Sequence, residues 1–210
     1  MWSPTNPDRV GLKVGAVLLD YPGSTWALDL DEAQDVLGPL SSEKWVCLAR
    51  ENLEAFRRST VSDLQAEYVA LFDFSEKRTL HLTRHEVGDD RVRGQELVRL
   101  QARLHHDGWR LVEGMLPDYL PVWLEYLACA DVPDESLGKR VYRVLAHIRE
   151  AIAPLSVYHG LIGWLLMVLP KAEPALPPVH QPVDDERRMP FPIYHRGDVE
   201  GWAAEGARVR

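Results

Sequence analysis

The sequence predicts an all-α protein: a single compact helical domain over residues 10–170, then a proline-rich C-terminal tail, 171–210, that is extended or disordered. Three observations lead there. Apolar residues recur at three- and four-residue spacing through most of residues 10–170, the period of one helix face. No stretch alternates apolar and polar residues convincingly with period two. From residue 170 onward, prolines stand at 170, 174, 177, 178, 182, 190 and 192, which forbids a regular helix and leaves little to build a core.

Taken in order, a first short helix covers roughly 11–20 and stops at "DYPG". Acidic "DLDEAQDVLGPL" opens a second, with acids where they suit the positive helix end, and Gly38-Pro39 closes it. A third runs through "SSEKWVCLARENLEAFRRS", with Ser42 as a possible cap and Trp45, Leu48, Ala49, Leu53 and Phe56 on one side. The fourth carries the stripe Val61, Leu64, Tyr68, Leu71 and Phe72. Residues 75–89 read as polar and irregular. A charged helix follows over "DRVRGQELVRLQARLHHDG", turning Leu97, Leu100 and Leu104 inward and ending at Gly108. Further helices cover 116–130 and 134–152, the latter striped by Leu137, Val141, Val144, Leu145, Ile148 and Ile152. After Pro154 a last apolar helix reaches about 169.

A net charge of -8, with acids spread along the chain, argues against nucleic acid as the main partner, because phosphate binding needs a basic face. Cys47 and Cys129 each fall in a helical pattern with no second cysteine nearby, so a CxxC site is absent and two buried, reduced thiols are expected. No signal peptide is visible, and the apolar run 155–169 is too short to span a bilayer. A cytoplasmic protein with no direct membrane insertion is expected.

The segment "PDYLPVWLE", 117–125, puts two prolines four residues apart in a helical pattern. Pro117 suits a first turn, whereas Pro121 one turn further in should kink the helix or tighten its start. Asp118 would lie in that first turn. Glu125, between Leu124 and Tyr126, reads either as a solvated acid or as an acid at the edge of an apolar groove, able to pair with a cation on a bound peptide.

Chemistry is sparse. His81 and His85, with Glu86, Asp89 and Asp90 nearby, could ligate a metal on a shared face, but the HExxH order is absent and loop anchoring is the simpler role. Phosphate-binding glycine loops and a GxSxG elbow are missing. A helical binding module is favoured over an enzyme. The enzyme alternative is a metal-dependent hydrolase built on His81 and His85.

Three segments, "VLLDYPG", "EYVALFDFSEKRTLHLTRHEVGDDRVRGQELVRL" and "LPDYLPVWLEYLA", resemble the nitrate reductase molybdenum cofactor assembly chaperones, the delta subunit group within the redox-enzyme maturation chaperones. The resemblance implies a non-catalytic cytoplasmic chaperone that binds the apo large subunit of a respiratory nitrate reductase through an N-terminal, twin-arginine-like segment. It would hold that subunit open for insertion of the molybdenum bis-guanine-dinucleotide cofactor and keep no cofactor stably itself. Contact with cofactor-delivery proteins is left open, and a dimethyl sulfoxide or trimethylamine oxide reductase is the alternative client.

Carried over by motif, the peptide-contacting residues are Asp118, Leu120, Pro121, Leu124 and Glu125, and the second set is His85, Asp90, Arg91, Arg93 and Gly94. Asp118 and Glu125 are the acids expected to meet client arginines, with Trp123 and Tyr126 as groove walls or core. Arg91 and Arg93 are expected to pair with Asp89, Asp90 or Glu96, and Gly94 to allow close helix packing. The family usually carries His after the Pro-Asp pair. Tyr119 stands there instead, and a phenol does not titrate near neutral pH.

Overall fold

A computed structural model describes residues 4–40, 44–87 and 90–173. Among the described residues nine α-helices run in order: α1 Asn6–Leu18, α2 Trp26–Leu37, α3 Lys44–Arg58, α4 Val61–Tyr68, α5 Leu82–Glu86, α6 Asp90–His106, α7 Leu120–Cys129, α8 Glu135–Glu150 and α9 Val157–Val168. Among the described residues the extended pairing is a single antiparallel bridge, His81 with Tyr119. No helix of the described residues is long and apolar enough to cross a membrane. Most of the expected tail, and Ser42, lie outside the described residues.

The helix starts follow from side chains that satisfy free backbone N–H groups. Thr5 and Asp8 form a capping box: the Asp8 N–H donates to Thr5 Oγ1 at 3.4 Å, and the Thr5 N–H donates to Asp8 Oδ2 at 2.9 Å. That box starts α1 five residues before the apolar pattern indicated. The side chains of Thr60, Asp134 and Ser156 accept backbone N–H groups at the starts of α4, α8 and α9. Beyond Tyr68, α4 passes into a π-helical turn, Val69–Asp73. Arg78 donates to its Leu71 and Ala70 carbonyls, and Phe74 just beyond is exposed.

At the centre, α1 packs along α7 and against α9, while α3 and α8 also cover α9. Leu12, Leu18, Phe56, Trp123, Tyr158 and Trp164 are sealed from water in this core. Tyr158 meets Phe56, Tyr68 and Phe72 edge-on, at ring separations of 5.5, 5.9 and 5.2 Å. Such contacts add to the area each ring buries. By contrast α6, seventeen residues long, buries only Leu100 and Leu104, so polar ties must help to hold it.

Several expectations are corrected. The helix expected from 116 begins at Leu120, so Pro121 sits in its first turn and costs no interior hydrogen bond. Residues before it are held extended: the Leu82 N–H donates to Asp118 O and the Leu120 N–H to Leu80 O, both at 2.8 Å. The stretch expected to be irregular, 75–89, contains the single-turn α5. Both cysteines are exposed, because Cys47 falls off the buried stripe of α3 and Cys129 ends α7.

Gly94 does not support close packing, since a Cβ there would meet nothing within 4 Å. Gly15 does: a Cβ on it would come within 2.3 Å of the buried Leu165 side chain, which lets α1 approach α9. The two sites therefore predict opposite outcomes in thermal melts. Gly94→Ala should stabilise by about 0.5–1 kcal/mol through helix propensity, and Gly15→Ala should destabilise by about 1–3 kcal/mol through overpacking. A lowered melting temperature for Gly94→Ala would mean that the position is packed after all.

Candidate functional site

The buried polar centre of the protein is Asp118, whose side chain has no solvent exposure. His81 Nδ1 lies 2.9 Å from Oδ1, while Oδ2 accepts a short hydrogen bond from Thr83 Oγ1 and a longer one from Arg93 Nη2 at 3.3 Å. Arg93 Nε also donates to Thr83 Oγ1 at 3.0 Å. One carboxylate thus ties the 81–83 segment and α6 to the start of α7. Burial alone would raise its pKa. The hydrogen bonds from His81 and Thr83, with the charges of His81 and Arg93, overcome burial and hold it below the usual carboxylate range. Below this centre, Trp123 Nε1 donates to Pro117 O at 2.9 Å, which sets the turn into α7.

On the outer side of α7 lies a groove of about 210 Å³. One wall is α1, which presents Lys13, Ala16, Val17 and Asp20, the i, i+3, i+4, i+7 set of one helix face. The second is α7, through Pro121, Val122 and Glu125, and the third is the 109–115 segment with Trp109 and Met115. The floor is mostly apolar and the charges stand at the rim. Lys13 Nζ and Glu125 Oε1 are 3.7 Å apart, both partly exposed.

Tyr119 also lines the groove. Its hydroxyl donates to Asp20 Oδ1 at 2.8 Å and accepts from Tyr68 OH at 2.8 Å. Burial, the Tyr68 neighbour and the Asp20 charge push the Tyr119 phenol far above its ordinary value, so the hydroxyl stays protonated. This position therefore holds a carboxylate steady without titrating near neutral pH.

The predicted residues separate into three groups. Pro121 and Glu125 line the groove, while Leu120 and Leu124 are fully buried beneath it. Asp118 is engaged within the chain, so its carboxylate is not presented to a peptide; neither Trp123 nor Tyr126 lines the groove, and both belong to the core. In the other motif Arg93 reaches Asp118 and Thr83 rather than Asp90 or Glu96, and Asp90 accepts from Arg84 at 3.5 Å. Asp89 lies outside the described residues. Arg91 and Gly94 are exposed on α6.

His81 and His85 act separately. His85 Nε2–H donates to Thr79 O at 2.7 Å, anchoring the segment before α5, and its ring stands 5.6 Å from His147. Burial lowers its pKa more than the Thr79 bond raises it. Glu96 instead meets Arg140 at 2.9 Å, and Arg140 also forks onto Glu86 at 2.9 and 2.7 Å. Arg103 joins α6 to Asp134 at 2.6 Å. The residue-by-residue reading missed Lys13, Asp20, Trp109 and Met115. The α1 spacing carried a signal for the first two, but nothing local joined α1 to α7.

The model of the nitrate reductase delta subunit family matches residues 40–154. The chain is 30% identical over 169 residues to the probable nitrate reductase molybdenum cofactor assembly chaperone NarJ of Bacillus subtilis, covering 79% of this chain and 89% of that one. To the nitrate reductase molybdenum cofactor assembly chaperone NarJ of Escherichia coli K12 it is 32% identical over 211 residues, 94% of this chain and 87% of that one. The probable chaperone NarW of the same strain is 41% identical over 133 residues, 63% of this chain and 54% of that one.

The Asp118 centre predicts a stability effect. Asp118→Ala leaves the Arg93 guanidinium largely buried without its counter-charge and should cost about 3–5 kcal/mol in urea unfolding. The depressed pKa fixes the sign with pH. The stabilisation is complete above the unfolded carboxyl value of about 4 and is lost as pH falls through the lower folded value. Urea midpoints measured down that range should fall for the wild type and flatten for Asp118→Asn. Parallel curves would show that the carboxylate is not ionised in the folded state.

Proposed function

The chain belongs to the nitrate reductase delta subunit family, and on that premise we propose that it is a cytoplasmic maturation chaperone, not an enzyme, whose client is the apo catalytic subunit of a respiratory nitrate reductase. It engages the client's N-terminal, twin-arginine-like segment and keeps the subunit open for molybdenum cofactor insertion. The cofactor is cargo destined for the client.

The observation that carries this reading is the groove between α1 and α7. It has an apolar lining, with Ala16, Pro121 and Val122 in the floor and Val17 on the exposed wall, and charged groups at the rim. That is the surface an amphipathic peptide segment needs: pockets for its apolar side chains and charges for its polar ends. Its volume, about 210 Å³, is below the roughly 300–1,000 Å³ typical of small-molecule and cofactor pockets. The size supports a few peptide side chains as occupants rather than a dinucleotide cofactor. Glu125 and Pro121 are the carried-over contact residues that reach this surface, with Leu120 and Leu124 shaping it from below.

A pull-down from cells expressing the reductase subunits tests the reading. The chaperone should capture the apo large subunit, and removal of the client's first few dozen residues should abolish capture. Val17→Glu, on the exposed wall, should weaken capture about tenfold or more, because a charge is then buried against the apolar floor, while circular dichroism stays unchanged. Part of the affinity should fall with salt. Capture that survives truncation would move the main contact off the groove. Capture of a dimethyl sulfoxide or trimethylamine oxide reductase subunit instead would replace the client.

A further inference from the structure

The groove has a direction. Arg9 near the start of α1 donates to the Ala128 and Ala130 carbonyls at the end of α7, at 2.8 and 2.7 Å. Asp20 just past the end of α1 meets Tyr119 at the start of α7. The two walls are therefore antiparallel, and Lys13 and Asp20 are separated by about 10 Å of helical rise.

The two ends differ in charge. At the first end Lys13 and Glu125 offset one another. Arg110 is placed there too, because the adjacent Trp109 ring lies 5.8 Å from Tyr126. Among the described residues Arg110 makes no ion pair, and the Asp107 carboxylate, which accepts from the Tyr126 hydroxyl, stands near the same end, so this end carries both signs. At the second end Asp20 likewise has no ion pair among the described residues. Its Oδ1 accepts from the Tyr119 hydroxyl and from the Tyr21 N–H, each at 2.8 Å. The last turn of α1 carries no basic residue, so the negative end of its dipole adds to Asp20. The opposing start of α7 is partly satisfied from within: Pro121 has no N–H, and the Leu120 N–H is donated to Leu80 O.

We infer that this groove, negative at one end and mixed in charge at the other, orients the client segment, placing a cation at Asp20 and the apolar residues that follow it over Val17, Val122 and Met115 towards Arg110, so that the segment runs parallel to α7 and antiparallel to α1. The inference rests on the client assignment above. Targeting segments place their cations before their apolar stretch, which matches this order. A helical segment laid this way also sets its own dipole against that of α1. Asp20 is then the acid that meets the client, and Tyr119 is a positioning residue that fixes the Asp20 carboxylate.

The test uses the full chain and a synthetic peptide of the client's first few dozen residues, carrying a photo-crosslinker either at the cationic end or after the apolar stretch. The first probe should label residues around 16–21 and the second residues around 109–113. Calorimetry should show Asp20→Asn weakening binding about tenfold, the loss of one charged hydrogen bond, with a shallower salt dependence. Tyr119→Phe keeps the Asp20 charge, so it should give a smaller loss with a near wild-type salt slope, and that loss should vanish for a peptide whose cations are replaced by Gln. A peptide whose cations are replaced by Gln should bind wild type and Asp20→Asn alike, which a merely structural effect would not produce. Wild-type binding with reversed or coincident labelling, or with Asp20→Asn unchanged, would overturn the orientation and leave the client assignment standing. No binding by wild type would overturn both.

Discussion

A carboxylate sealed from water, that of Asp118, decides where α7 begins. Its three partners come from the 81–83 segment and from α6, and the largely buried Arg93 would lose its counter-charge if the loop before α7 moved. Because buried charge is tolerated only when it is fully paired, this cluster has few alternative arrangements. The bridge between His81 and Tyr119 extends the same restraint to the backbone. Tyr119, one residue on, is thereby delivered to the groove with its hydroxyl on Asp20. The interior pairing and the outer surface are consecutive residues of one rigid turn, and this is why the Pro-Asp segment serves both.

The groove itself is assembled from parts that are distant in sequence. Asp20 and Tyr119 are 99 residues apart and meet at 2.8 Å. The family match, residues 40–154, includes α7 and the 109–115 segment but not the α1 wall. One wall of the lining, Lys13, Ala16, Val17 and Asp20, thus lies outside the span by which the family is recognised. A surface of this kind can keep one wall constant while the other changes, and such variation would allow related chaperones to favour different clients.

Much of the helical architecture was legible in the sequence, because burying one face of a helix imposes its period on the residues. The stripe Leu137, Val141, Val144, Leu145, Ile148 and Ile152 is entirely buried. What periodicity could not supply was long-range. The first turn of α1 depends on Thr5 and Asp8, polar residues outside any apolar pattern. The late start of α7 depends on hydrogen bonds to residues 80–82. Asp118 looked like a first-turn acid open to a client arginine, since a single carboxylate has the same local appearance whether its partner is another chain or a residue of its own core. Gly94 looked like a packing glycine for the same reason, and only its open surroundings show otherwise.

The helix α6 is fastened differently from its neighbours. Arg93, Arg103 and the Glu96–Arg140 pair tie it down, and only two of its residues are buried leucines or any other buried side chain. Its attachment is therefore ionic, whereas α1, α7 and α9 are held by shared apolar surface. Urea is neutral and weakens apolar and peptide burial, so it should act on the whole domain together. Guanidinium chloride is also a salt whose cation mimics the arginine fork, so it competes directly for the carboxylates of Asp118, Asp134 and Glu96. The two denaturants would then expose different architectures: one cooperative body in urea, and in guanidinium a body that releases one helix before the rest.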